Sequence, residues 1–299
     1  MKGRDYMFSG IYAPIPTPFS AQGDIYWEEL KKNLDWWGAT PLAGMVVAGT
    51  NGEAAYLDAQ EKERAFAFVR EHIPADKKVV AGTGCESTRE TIALSKKAAE
   101  AGADAVLVLN PYYFRGGMTK EALKKHYFAV AEETPVPLMV YNMPRNTGFN
   151  MSADIIISLS EHPNIMGLKD SSGNIVQISE VVAGTKDSFA VFAGSANFLL
   201  PSLMMGADGG TLALANIMPR ECVDIYDLFK AGRLEEAREL QLRVLDVNAA
   251  VTSRWGVAGL KAALELMGFY GGLPRPPLLP LSPELRGELK GIMSRAKIL

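Results

Sequence analysis

The stretch Asn164-Ile-Met-Gly-Leu-Lys-Asp-Ser-Ser-Gly173 reads as a short apolar strand that runs into a lysine and stops in a polar, glycine-containing turn. A lysine at the buried end of a strand is costly unless it has a partner or a task. Working outward, apolar β-rich segments alternate with helical patterns at intervals of roughly 25–35 residues, the βαβ signature of parallel sheet. Strands are read at Gly10–Pro16, Gly44–Gly49, Lys78–Gly82, Asp104–Leu109, Val136–Tyr141, the opening stretch, Phe189–Ala193 and Asp208–Leu214. Helices are read at Trp27–Ala39, Ala59–His72, Thr88–Ala101, Lys120–Glu133, Ser152–Glu161, Ile175–Gly184 and Asn197–Met205. Strands that are apolar on both faces suit a closed core, and eight uninterrupted units favour a (β/α)8 TIM barrel over a doubly wound sheet. The barrel is expected to occupy residues 1–231 and carry the active site. Residues 232–299 read as an all-helical C-terminal extension, with helices at Leu234–Ala250, at Gly256–Met267 and after Ser282.

Composition narrows the class. With 299 residues, 48% hydrophobic, and a net charge of -3, the chain is an ordinary globular one with no bias towards nucleic acid or membrane surfaces. It shows no signal-peptide pattern and no apolar run long enough to span a bilayer. Two cysteines, Cys85 and Cys222, suit a reducing compartment, so a cytoplasmic location is expected. His72, His126 and His162 all fall in or just after helices. Barrel sites gather at strand C-termini, so a histidine metal cage or a Ser-His-Asp triad has no evident raw material there.

The residues after each strand therefore form the candidate rim. Gly49-Thr-Asn-Gly-Glu53 suits a nest of backbone N–H groups for a carboxylate, or equally a plain βα turn with Glu53 in the first helical turn. Tyr141 offers a hydroxyl that can relay a proton, or a core ring with a wet tip. Tyr112 and Tyr113, after strand four, are ordinarily packing or interface residues. Lys169 in a barrel mouth loses hydration, which favours the free amine that attacks a carbonyl; the competing reading is a lysine snorkelling to solvent. Strand alternation points Asp170 away from Lys169. The glycines near Gly194 and Gly209 also fit a phosphate site, as in sugar-phosphate aldolases. Cys85 reads as a buried, inert thiol.

Taken together, Gly49-Thr-Asn-Gly-Glu53, Tyr141-Asn-Met-Pro and Gly167-Leu-Lys-Asp170 resemble the dihydrodipicolinate synthase / N-acetylneuraminate lyase family, in its order and spacing, across nearly the whole chain. The resemblance implies a Schiff base between Lys169 and C2 of pyruvate or another 2-oxo acid, with no metal or organic cofactor. It implies Tyr141 as proton relay and Thr50 as its hydroxyl link, with Thr50 and Asn51 holding the oxo-acid carboxylate. Gly194 and Thr211 match backbone at the pyruvate end. Tyr113 matches a tyrosine inserted into a neighbouring subunit's site, within a homotetramer built as a dimer of dimers.

Within the family, the synthase carries an arginine immediately before the Thr-Gly of the fifth-strand motif. Here that position is Asn146 and the arginine is Arg145. The motifs Pro-Arg-Asn-Thr-Gly148 and Gly-Leu-Lys-Asp-Ser-Ser-Gly173 resemble the 4-hydroxy-2-oxoglutarate aldolase branch instead. So do the tail segments Asn248–Lys261 and Gly268–Gly272. Ser171 and Asn146 are the expected contacts for the distal end of the substrate. The implied reaction is aldol cleavage of a 4-hydroxy-2-oxo acid to pyruvate and an aldehyde. Condensation of pyruvate with aspartate semialdehyde is the alternative, and a non-catalytic oxo-acid-binding barrel is the alternative of another class.

Overall fold

The computed structural model describes residues 8–299. Eight parallel strands, β1 (Gly10–Pro14), β2 (Gly44–Val47), β3 (Lys78–Gly82), β4 (Ala105–Leu109), β5 (Leu138–Asn142), β6 (Ile165–Asp170), β7 (Ala190–Ala193) and β8 (Gly209–Thr211), close into a barrel in chain order, β8 pairing with β1. Their period-2 alternation sorts the side chains into two cores. Tyr12, Val46, Val80, Leu107, Met139, Tyr141 and Phe192 fill the barrel. Met45, Val47, Ala81, Val108, Val140 and Leu168 face the helices outside.

The barrel helices are α1 (Trp27–Gly38), α2 (Ala59–His72), α3 (Thr88–Glu100), α4 (Lys120–Glu133), the short α5 (Pro144–Thr147), α6 (Ala153–Leu159), α7 (Ile175–Gly184), α8 (Leu199–Met204) and α9 (Pro219–Lys230). Their starts follow capping chemistry. Asp58 and Glu61 form a reciprocal capping box on α2, and Ser87, Thr119 and Asn174 cap α3, α4 and α7. The extension comprises α10 (Leu234–Arg243), α11 (Leu245–Ala249), α12 (Gly256–Leu266) and α13 (Pro283–Arg295). Among the described residues no helix is long and apolar enough to cross a membrane.

Four expectations need correction. Strand eight is shorter than Asp208–Leu214, because the Asp208 carboxylate accepts from the Val191 N–H and the chain turns into a 3-10 segment at Ala213–Asn216. The segment Asn197–Met205 begins as a 3-10 turn, Ala196–Phe198, before α8 starts. Pro201 then falls in the first turn of α8, where its missing N–H costs nothing. The single helix read over Leu234–Ala250 is broken at Val244, and a π-helical turn, Ala250–Arg254, joins α11 to α12. Helix α9 is an addition to the sequence reading; Pro219 opens it, and it packs against β1. Insertion of a π turn re-aims the side chains that follow it, and here it brings Ser253 and Trp255 to the barrel mouth.

Candidate active site

The C-terminal ends of the strands surround an open cleft of about 730 Å3. Lys169, on the last turn of the barrel wall at β6, is 3% exposed and lines its floor. Leu168 and Asp170 on either side point outward, as the alternation requires. Asp170 accepts from Asn142 Nδ2 at 2.8 Å, Gln177 Nε2 at 3.2 Å and the Ser172 N–H at 2.8 Å. It is thus satisfied by neutral donors on the far side of the sheet. Among the described residues no carboxylate pairs with the Lys169 ammonium. The amine is buried at the base of the cleft, with no counter-charge among the described residues.

Its nearest aromatic neighbour is set by strand register. Tyr141 on β5 pairs directly with Lys169 on β6, which puts the two side chains on the same inner face. The Lys169 Nζ lies 4.1 Å from the Tyr141 ring centroid. The Tyr141 hydroxyl reaches on to Thr50 Oγ1 at 3.1 Å. Thr50 sits in the β2–α2 connection, where the chain takes a left-handed backbone at Ala48 (φ 52°) and again at Glu53 (φ 56°). Such conformations are rare outside glycine and cluster at functional loops. Between them, the N–H groups of Thr50 and Asn51 donate to no protein acceptor among the described residues, while the Glu53 N–H closes a turn onto the Thr50 carbonyl at 3.1 Å. Both residues line the cleft, and successive unspent backbone donors are what an anion seat requires.

Gly194 and Ser171 meet on the opposite wall. The Gly194 N–H donates to the Asp170 carbonyl at 2.7 Å, and a Cβ on Gly194 would fall 1.9 Å from Ser171 Oγ. Only glycine allows β7 to approach this closely. The Gly194 and Leu212 N–H groups are both spent on backbone carbonyls, of Asp170 and Tyr12. Asn146 and Arg145 line the outer cleft, and one Arg145 nitrogen donates to the Ser253 carbonyl at 2.6 Å.

Two of the residues singled out in the sequence lie outside this chain's cleft. The Thr211 side chain is buried inside the barrel beside Tyr12 and Phe192, because strand register pairs it with Tyr12, two residues short of the end of β1. Tyr113 lies outside its own cleft, 75% exposed and edge-on to Phe114; the Glu86 carboxylate fixes this loop by accepting from the Tyr112 and Tyr113 N–H groups. Cys85 is half-buried, and burial pushes its thiol above the ordinary range.

Sequence reasoning missed what the extension contributes. Trp255, Leu278 and Leu279 line the mouth. Of the two readings of the Gly49–Glu53 stretch, the one with Glu53 in a first helical turn does not hold: Glu53 precedes a 3-10 turn, Ala54–Tyr56, and its buried carboxylate meets Lys261 of α12 at 2.5 Å. The one available signal was a lysine set in the small-residue run Gly256-Val-Ala-Gly-Leu-Lys-Ala262, where an exposed helix would not put it.

A dehydrated amine at the mouth of a (β/α)8 barrel, stacked on a phenol that is wired to a hydroxyl, is the equipment of a class I aldolase. The chain belongs to the dihydrodipicolinate synthetase family, whose pattern matches residues 7–296, and it is a carbon–carbon lyase of that aldolase type. It is 38% identical over 292 residues to a probable mitochondrial 4-hydroxy-2-oxoglutarate aldolase of Emericella nidulans, covering 96% of this chain and 94% of that protein. It is 37% identical over 293 residues to the 4-hydroxy-tetrahydrodipicolinate synthase of Geobacter sulfurreducens, covering 98% of this chain and all of that one, 100%. Its fold superimposes with a TM-score of 0.92 on the chloride-inhibited dihydrodipicolinate synthase of Acinetobacter baumannii complexed with pyruvate, at 31% identity over 97% of this chain and 99% of that one.

Proposed function

We propose that this lyase catalyses reversible aldol cleavage of a 4-hydroxy-2-oxo acid of the 4-hydroxy-2-oxoglutarate type, giving pyruvate and glyoxylate. The observation that carries the chemistry is the line Lys169–Tyr141–Thr50, with Nζ 4.1 Å from the ring and the two hydroxyls 3.1 Å apart. Lys169 Nζ attacks C2 of the bound oxo acid, Tyr141 gives its phenolic proton to the departing hydroxyl so that water leaves, and the protonated imine becomes an electron sink. The substrate carboxylate rests on the N–H groups of Thr50 and Asn51. Tyr141 takes the proton of the 4-hydroxyl as the C3–C4 bond breaks; its electron pair moves into the imine, and the aldehyde departs. A proton returned through Tyr141 to C3 of the enamine restores the imine, and water releases pyruvate and the free amine.

Asn146 and Ser171 are assigned the distal end of the substrate, which supports a cleavage substrate over aspartate semialdehyde. A second reading has an observation of its own: Arg145 also lines the outer cleft, and a cation there suits the carboxylate of the semialdehyde in a synthase. Its tether to the Ser253 carbonyl holds it against the extension, which favours the first reading. A coupled assay settles the choice by comparing cleavage of 4-hydroxy-2-oxoglutarate with condensation of pyruvate and aspartate semialdehyde. Higher kcat/KM for cleavage is expected; faster condensation would overturn the substrate assignment while leaving the imine chemistry intact.

The exposed Tyr112-Tyr113-Phe114 loop supports a homotetramer, a dimer of dimers, in which Tyr113 completes a neighbouring site. Two unpaired thiols support a reducing, cytoplasmic location.

A further inference from the structure

The loop that presents Thr50 is anchored from beneath by a charge pair that joins the barrel to the extension. Glu53 and Lys261 leave 1% of each side chain exposed, with Oε1 and Nζ 2.5 Å apart. Dehydrating two charges costs several kcal/mol per ion, so such a pair persists only where other polar contacts complete it. Those contacts are present. Lys261 Nζ donates to the Leu273 carbonyl at 3.0 Å and lies 4.4 Å from the Phe19 ring centroid. Glu53 Oε2 accepts from the Arg275 N–H at 2.8 Å. The Arg275 guanidinium then forks onto Glu61 at 2.6 and 2.8 Å and donates to the Tyr56 carbonyl at 2.6 Å. Burial pulls the Lys261 ammonium below the usual lysine range, and Glu53 pushes back.

The position of this cluster, rather than its energy, points to a task. Glu53 ends the turn that begins with Thr50, its N–H bonded to the Thr50 carbonyl. Its left-handed backbone, unfavourable for a residue with a side chain, directs the chain so that the carboxylate meets α12. Gly52 leaves the loop no slack: a Cβ there would lie 3.2 Å from Ala48 and from the Ile15 carbonyl. A shift of the Glu53 carboxylate is therefore passed to Thr50, whose hydroxyl has one partner among the described residues, Tyr141. A buried pair elsewhere on the barrel would stabilise the fold equally well without touching the relay.

We infer that Glu53 and Lys261 are positioning residues, through which the C-terminal extension holds the Thr50 hydroxyl in register with Tyr141. The inference rests on the Schiff-base reading given above. Its test uses solvent deuterium exchange into C3 of pyruvate, which reports imine and enamine formation whatever aldehyde is used, in the full-length chain. Lys261→Met is measured in two backgrounds, with Thr50 present and with Thr50→Val, alongside melting temperatures. Lys261→Met is expected to lower the exchange kcat by about tenfold to a hundredfold with Thr50 present, the range a misplaced group gives. In the Thr50→Val background the same substitution is expected to cost less than about twofold, because groups that act as one unit are non-additive. Should Lys261→Met fail to fold, Glu53→Gln replaces it, since the amide keeps the shape and the Arg275 contact. Equal losses in both backgrounds, or no loss with Thr50 present, would overturn the inference. If the wild type itself exchanges no deuterium and forms no borohydride-trapped pyruvate adduct, the Schiff-base reading fails, and this inference with it.

Discussion

Thr50 Oγ1 and Tyr141 Oη lie 3.1 Å apart although 91 residues separate them. The contact spans the barrel mouth from the β2 loop to the end of β5, and it connects the amine stacked beneath the phenol to the anion seat above. Tyr141→Phe keeps the ring and removes the relay. Its kcat should fall about 10²–10⁴-fold, the usual range for a lost positioned acid–base group, with little change in melting temperature. Thr50→Val should fall less and should raise KM for pyruvate, because the anion seat moves with it. Steady-state cleavage kinetics check both.

Gly194 is a site where a single methyl group should matter. A Cβ there would sit 1.9 Å from Ser171 Oγ and 2.7 Å from the Asp170 carbonyl, which is backbone and cannot swing aside. Gly194→Ala should destabilise the protein by about 1–3 kcal/mol, as overpacking does, and should raise KM more than it lowers kcat. Denaturant melts and kinetics on the same preparation separate the two effects.

The back of the β5–β6 pair should prove as sensitive as the front. Asp170 is fully buried and accepts from Asn142, Gln177 and the Ser172 N–H. Asp170→Ala would strand these donors at about 1–3 kcal/mol each. A loss of several kcal/mol in unfolding free energy is expected, together with lower activity, because Asn142–Asp170 is the next rung of the ladder after Tyr141–Lys169. An unchanged melt would show that water replaces the carboxylate.

Stability should carry a pH signature from a residue remote from the chemistry. His126 on α4 is buried, its Nδ1 meets Thr88 Oγ1 at 2.9 Å, and its Nε2 has no partner among the described residues. Burial lowers its pKa from 6.5 to about 4. The folded protein therefore holds the neutral ring while the unfolded chain takes up a proton, so this contribution is complete above about pH 6.5 and is lost as pH falls to about 4. The loss approaches about 1.4 kcal/mol per pH unit within that window. Unfolding free energies of wild type and His126→Gln between pH 7 and pH 4 should converge as pH falls; parallel curves would contradict the assignment.

The legible and illegible parts of this protein divide along a physical line. Lys169 could be read because an apolar strand ending in a lysine breaks the rule for buried positions, and period-2 alternation then fixed the direction of Asp170. The limits of α2, α4 and α7 coincide with the reading because local caps, Asp58, Thr119 and Asn174, determine them. The partner of Glu53 could not be read, since the pair joins a barrel loop to a helix of the extension and only closure of the chain brings them together. The same holds for Arg275 and Glu61, 214 residues apart. Thr211 was matched only as backbone at the pyruvate end, and the depth of its side chain beside Tyr12 follows from inter-strand register, which the sequence does not display.

The central claim is that Lys169 is the imine-forming amine. Incubation with pyruvate, reduction with borohydride, and peptide mass spectrometry test it most directly. The account predicts one reduced pyruvyl group per chain, located on Lys169 and absent from Lys169→Ala. An adduct on another lysine, or one that persists in Lys169→Ala, would contradict it.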